Sequence, residues 1–249
     1  SGLGDAGEST ASLHCRGRSR TMPAVSDLGA LYRRAREQVS SLVRSLGPQQ
    51  LEAPVPSCPG WTVHGVVSHL AGIANDVITG RLTGVPTPEE TAAQVAARVD
   101  TPTSIVLREW ERTGSQLEVL LAKEGRFAEI PVIDATVHEQ DIRGAVDLPG
   151  NRTGELIDLT LRRPLDLFVG RVDSSGLPAV RVVDDSGQAL AGPEDAPVEM
   201  RASRFELMRC VYGRRSRAQI GRRFTGTDDP EAYVGLLVVF GPASSDIVE

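Results

Sequence analysis

The chain is expected to fold as an α+β protein, with a four-helix bundle over residues 22–150 and a smaller mixed α/β domain over residues 151–249. Three observations point there. Apolar residues recur at three- and four-residue spacing through the first part. After Gly150 short β-rich runs appear, separated by Asp, Ser, Gly and Pro. Two histidines and an aspartate fall on the inward faces of two of the helices, as in bundles that build metal sites in their core.

The first helix runs from a cap at Ser26 to about Leu46, with Leu28, Leu31, Ala35, Val39, Leu42, Val43 and Leu46 forming one stripe. Gly47-Pro48 stops it, and LEAPVPSCPGW reads as extended chain punctuated by proline. Thr62 caps the second helix, whose buried face holds Val63, Val66, Leu70, Ile73, Val77 and Ile78. A loop with Pro86 and Pro88 leads to a third helical region, interrupted near Asp100-Thr101-Pro102 and continuing through Ile105, Trp110, Leu117, Leu120 and Leu121. Pro131 suits the first turn of a fourth helix that ends before Pro149-Gly150.

In the second part, LIDLTLRRPLDLFVGRV reads as a helix that Pro164 must start, kink or break. VRVVDD, QALAG and VEMRA read as short strands with some antiparallel pairing. Ser203 caps a helix through Cys210 and Tyr212 that Gly213 ends, and Asp228 or Asp229 with Pro230 opens a last one, EAYVGLLVVF.

Composition narrows the function classes. The 249 residues carry a net charge of −6, which argues against a nucleic-acid partner, because phosphate neutralisation needs a basic footprint. Among 27 basic residues only Lys123 is a lysine, the bias of a GC-rich, actinobacterial kind of genome. The 40% of hydrophobic residues can fill a core, yet no run reaches the roughly 18 apolar residues of a membrane span. Cys15, Cys58 and Cys210 lie far apart, so a disulfide framework is not expected and a reducing cytoplasm is. Residues 1–21, rich in Gly, Ser and Arg, read as a disordered or vector-derived tail before a start at Met22, which leaves His14 and Cys15 with little functional weight.

The motif that carries chemistry is DATVHEQD, residues 134–141. Asp134 and His138 sit one turn apart on one helix face, and Asp141 follows at i+3. On the second helix His69 lies between Val66 and Ile73 on the apolar face. Alone it reads first as a core histidine bonded to a backbone carbonyl. Together, His69, Asp134 and His138 make one carboxylate and two imidazoles with coordination positions left open, a set catalytic zinc uses and non-heme iron accepts. Asp141 reads either as a carboxylate orienting an imidazole or as a surface group facing Arg143 or solvent. His64, five residues before His69 and about 140° around the helix, cannot share that face. Glu139 points away from His138. Cys58 could have a lowered pKa before a helix N-terminus, but the SCPGW turn favours a structural role, with Trp61 as an anchor against the bundle.

VPSCPGWTVHGVVSHLAGI resembles the signature of the N-terminal domain of mycothiol-dependent maleylpyruvate isomerases, a DinB-like four-helix bundle. DATVHEQDIRGA resembles that family's second motif, usually Glu-x-x-x-His-x-x-Asp, and ELMRCVYGRRS is similar to its sterol-carrier-like C-terminal domain with a Gly-Arg motif. The resemblance spans most of residues 26–240. It implies that His69, Asp134 and His138 hold a divalent metal, with zinc first in line, and that Asp134 stands where relatives carry glutamate. It implies a bound low-molecular-weight thiol, mycothiol or similar, deprotonated by the metal. The thiolate would act on a small electrophilic substrate, by S-transfer or by addition to a cis double bond, rotation and elimination. It places Arg214 toward an anionic substrate, although the arginine-rich surroundings also suit a solvated basic surface. Arg81, at the end of the second helix, reads as facing the pocket mouth, beside the cofactor. Two other readings fit the same triad: a metal-dependent hydrolase using metal-bound water, and a DinB-like binding protein without turnover. A monomer or homodimer is expected.

Overall fold

The computed structural model describes residues 27–123 and 129–249; the Ser26 cap, His14, Cys15 and the proposed tail lie outside them. The first helix, α1 (Leu28–Arg44), is capped by Asp27, whose carboxylate accepts from the backbone N–H groups of Gly29 and Ala30. Its stripe is buried from Leu28 to Val43. The stretch read as wholly extended holds one short helical turn, α2 (Pro48–Leu51), because Pro48 at its first position and the Gln50 side chain folded back onto Gly47 N–H complete its start.

Thr62 caps α3 (Val63–Ile78), accepting from Gly65 N–H. The third region is two helices, α4 (Pro88–Ala96) and α5 (Thr103–Leu121). Thr87 and Glu90 close a reciprocal capping box at the start of α4, and Pro102 sits at the entry to α5. The helix α6 (Ile130–Ala145) has Pro131 in its first turn. These helices enclose one apolar core around Val39, Val66, Leu70, Leu117 and Trp110, whose indole N–H donates to Tyr32 Oη at 2.9 Å.

Helix α7 (Glu155–Ser175) runs through Pro164 without a break. A proline there cannot donate to the carbonyl four residues earlier, which is that of Thr160. The Tyr212 hydroxyl takes that role instead, donating to Thr160 O at 2.9 Å. The strands β1 (Val180–Val183), β2 (Ala189–Ala191), β3 (Val198–Arg201) and β4 (Phe224–Thr225) form one sheet in the order β2-β1-β3-β4. The outer pairs are antiparallel, but β1 and β3 pair in parallel. The two-residue β4 is too short to leave an alternating pattern in sequence. Helices α8 (Arg204–Val211), α9 (Arg217–Gly221) and α10 (Glu231–Leu237) complete the chain. Ser203 caps α8, while α10 stops at Leu237, leaving Val238 extended. The single turn α9 escaped the sequence reading because five residues hold no periodicity.

A second apolar core surrounds Phe168, Met200, Leu207 and Val234, and Val137 of α6 belongs to it. Helix α6 is thus buried on both sides, with Val132, Ala135 and Ile142 in the bundle core. This sandwiching makes α6 the element from which a site between the two cores can be built. No helix among the described residues is long and apolar enough to cross a membrane.

Candidate metal centre

Between α3 and α6, His69 Nε2 lies 3.3 Å from Asp134 Oδ2, and His138 Nε2 lies 3.4 Å from Asp134 Oδ1. His69 and His138 are buried, and Asp134 is partly open. The two imidazoles stand edge to face, with centroids 5.2 Å apart. The ligand atoms of His69, Asp134 and His138 all lie within 4.8 Å of one another. Bonds of about 2.05 Å at a tetrahedral angle would put ligand atoms roughly 3.3 Å apart, so the spacing suits a small divalent ion.

Hydrogen bonding behind the ring nitrogens sharpens this fit. His69 Nδ1 lies 2.8 Å from Gln94 Oε1, an acceptor. His138 Nδ1 lies 2.9 Å from Asp141 Oδ2, also an acceptor. With each proton on Nδ1, both Nε2 lone pairs face the Asp134 carboxylate. Three acceptors then converge with no donor between them, and Asp134 Oδ2, enclosed by protein, has no hydrogen-bond partner. A cation is the group that would satisfy all three. Burial alone would raise the Asp134 pKa; with His69 and His138 protonated, in place of the metal-ready neutral form, their charges outweigh it and hold the carboxyl below its ordinary value.

The loop before α3 covers the site. Cys58-Pro59-Gly60-Trp61 is a type II turn, with Pro59 and then Gly60 at φ 85° and a hydrogen bond from Trp61 N–H to Cys58 O at 3.0 Å. The turn sets the Trp61 ring 5.1 Å from that of His69 and 6.2 Å from that of His138. It also places Cys58 Sγ 3.4 Å from Asp141 Oδ2. Burial, with the Asp141 carboxylate next, pushes the Cys58 thiol far above its ordinary pKa despite Arg214 nearby. Cys58 is therefore a neutral S–H donor, not a thiolate.

Asp141 is fully enclosed and faces Arg209 and Arg214, not Arg143 or solvent. Arg143 pairs with Glu139 on the opposite side of α6. The C-terminal arginines arrive there through a Schellman motif that ends α8. Gly213 N–H donates to Cys210 O and Arg214 N–H to Arg209 O, with Gly213 at φ 74°. A Cβ on Gly213 would meet Gly241 O, so only glycine fits. Arg214 reaches Asp141 at 2.8 Å and gives Nη1 to Tyr212 O, with a side chain only 12% exposed, which excludes a solvated surface role. Burial opposes the charge on Asp141, but Arg214, Arg209 and His138 hold its pKa well below the usual range.

Arg81, just past the C-terminal end of α3, is exposed and paired with Asp76. His64 bonds Thr103 Oγ1 and Arg98 O, away from the site. The residue the sequence reading missed is Gln94 of α4, the partner of His69. Two open clefts, of about 510 and 630 Å³, lie beside Arg204 and beside Arg81, not over His69, Asp134 and His138.

A helical bundle with two imidazoles and a carboxylate turned inward, followed by a small α+β part, is the class that this fold and site define. Residues 32–143 match the family model described as the mycothiol maleylpyruvate isomerase N-terminal domain. The fold is also similar to a crystal structure of a histidine-to-alanine variant of the mycothiol-dependent maleylpyruvate isomerase, at 16% identity and a TM-score of 0.50, covering 76% of this chain and 88% of that one. A second crystal structure of the mycothiol-dependent maleylpyruvate isomerase aligns over the same shares at 18% identity and a TM-score of 0.47. No curated protein matches the chain.

Proposed function

We propose that the protein is a metal- and mycothiol-dependent enzyme that performs thiol S-transfer or cis–trans isomerisation on a small electrophilic substrate. The observation that carries the proposal is the convergence of His69 Nε2, His138 Nε2 and the partnerless Asp134 Oδ2. Held by these three side chains, a divalent cation, zinc by preference, would keep a low-molecular-weight thiol deprotonated at neutral pH and so supply a nucleophile.

The protein's own groups prepare that chemistry. Gln94 and Asp141 each accept from an imidazole Nδ1–H and so aim the opposite nitrogen inward. Trp61 walls the site and excludes water on one side. Cys58, held neutral, does not compete as a second thiolate. Arg214 supplies positive charge beside the site while fixed to Asp141. It suits the carboxylate of an anionic substrate or thiol approaching from the C-terminal part.

The test is a purified protein with its metal quantified and titrated with mycothiol by calorimetry. Thiol binding is expected with zinc present and is lost after chelation and in His69→Ala. Zinc bound without any thiol affinity would overturn the proposal in favour of a hydrolase or a binding protein. Retention of zinc by His69→Ala would refute the ligand set.

A further inference from the structure

Gly72 of α3 faces α4, and a Cβ there would stand 2.6 Å from Gln94 Cβ and 2.7 Å from its Cγ. The missing side chain therefore makes the groove in which Gln94 lies, buried to 4% exposure, one turn along from His69. From that groove the amide makes two contacts. Its Oε1 lies 2.8 Å from His69 Nδ1, and its Nε2 donates to Asp76 Oδ2 at 2.8 Å. Asp76 is in turn held at Oδ1 by Arg81, through Nε at 3.0 Å and Nη2 at 2.6 Å.

The direction of this chain is fixed at its outer end. The Asp76 carboxylate, ion-paired with Arg81, only accepts, so the Gln94 NH₂ must face it and the Gln94 carbonyl must face His69. His69 must then carry its proton on Nδ1. The other tautomer would set two lone pairs against each other 2.8 Å apart, and turning the amide over would set its oxygen against a carboxylate.

We infer that Gln94, oriented by Asp76 and Arg81, is a positioning residue that locks His69 in the Nδ1–H tautomer and so presents its Nε2 lone pair toward Asp134. The purpose of the lock rests on the metal reading above; the lock itself does not. Arg81, exposed, acts on His69 through Asp76 and Gln94, and the half-buried Asp76 acts through Gln94. Gly72 is part of the same device, because it sets how close α4 can lie to α3.

The experiment reads the His69 tautomer by ¹⁵N NMR in metal-free protein, at a pH where the ¹⁵N shifts themselves report a neutral ring, and zinc affinity separately by competition with a chelating dye. The wild type is expected to show Nδ1–H only. Gln94→Leu should show a mixture or the Nε2–H form, with zinc affinity down about 10- to 100-fold. Asp76→Ala, which leaves the buried groove intact, should shift the tautomer in the same direction by a smaller amount. The pair Gln94→Glu with Asp76→Asn reverses the roles of the two side chains while keeping every donor opposite an acceptor, so it should restore both readouts. An unmoved tautomer in folded Gln94→Leu and in Asp76→Ala would overturn the inference whatever the protein's zinc affinity. A tautomer that moves in a protein that binds no zinc would uphold the lock and remove the metal reading instead.

Discussion

Asp141 on α6 and Arg209 on α8 form an ion pair at 2.7 Å in which neither side chain has any exposure. It joins the bundle helix that bears Asp134 and His138 to the C-terminal part, and Arg214 adds a second guanidinium to the same carboxylate. Neutralising Asp141 leaves Arg214 with no carboxylate and Arg209 with Glu249 alone, both guanidiniums being largely shut off from solvent. Asp141→Asn is expected to lower unfolding stability by about 3–5 kcal/mol, measured by urea denaturation. A loss under about 1 kcal/mol would mean that water reaches the two arginines, as at an exposed pair.

The sequence made one part of this site visible and hid another, for identifiable reasons. His69, Asp134 and His138 stood out because a polar residue inside an apolar helical stripe contradicts the local pattern, and helical spacing says which face it shares. Gln94 gave no such sign, because an amide on the amphipathic α4 looks like any surface residue until Gly72 is known to face it. The one available clue was Asp76, two turns after His69 and so on the same face of α3. Arg209 and Arg214 could not be separated from their arginine neighbours, since their inward aim depends on how α8 ends and packs on α6. The parallel pairing of β1 with β3 was hidden for the same kind of reason: strand alternation fixes faces, not partners.

Metal should stabilise the fold, because His69 and Asp134 lie on different helices and no donor joins their facing atoms. At a zinc concentration one hundredfold above Kd, binding to the native state alone adds about 2.7 kcal/mol. For a chain of this size each kcal/mol corresponds to roughly 2–4 °C, so thermal melting should rise by about 5–10 °C. The shift should vanish in His69→Ala, Asp134→Ala and His138→Ala. A full shift in any of the three would place the ion elsewhere.

Trp61 should report the same event optically. Its ring lies 5.1 Å from His69 and 6.2 Å from His138, whereas Trp110, the other tryptophan of the chain, is buried against Tyr32. Binding of a cation to those imidazoles changes the field at the Trp61 indole and leaves Trp110 untouched. Titration of zinc into chelator-treated protein is expected to change tryptophan emission, and Trp61→Phe should abolish the change. A response that persists in Trp61→Phe would have to come from the bundle core.

In the C-terminal part, Asp184 offers a pH dependence with a defined sign. Its Oδ1 accepts from the backbone N–H groups of Ser186 and Gln188 and from the Ser186 hydroxyl, and its Oδ2 from Arg204 Nε. Burial would raise its pKa, but these bonds overcome it and bring the carboxyl from 3.8 to about 2. A group with a depressed folded pKa favours the native state above its unfolded pKa and loses that contribution as pH falls through the folded value. The stability difference between wild type and Asp184→Asn should therefore be constant above pH about 5 and shrink as pH falls from about 4 toward 2. Urea unfolding of both proteins across that range measures it, with the signal taken from the far-UV region. A gap that stays constant down to pH about 2 would show that Asp184 acts through shape and not through its charge.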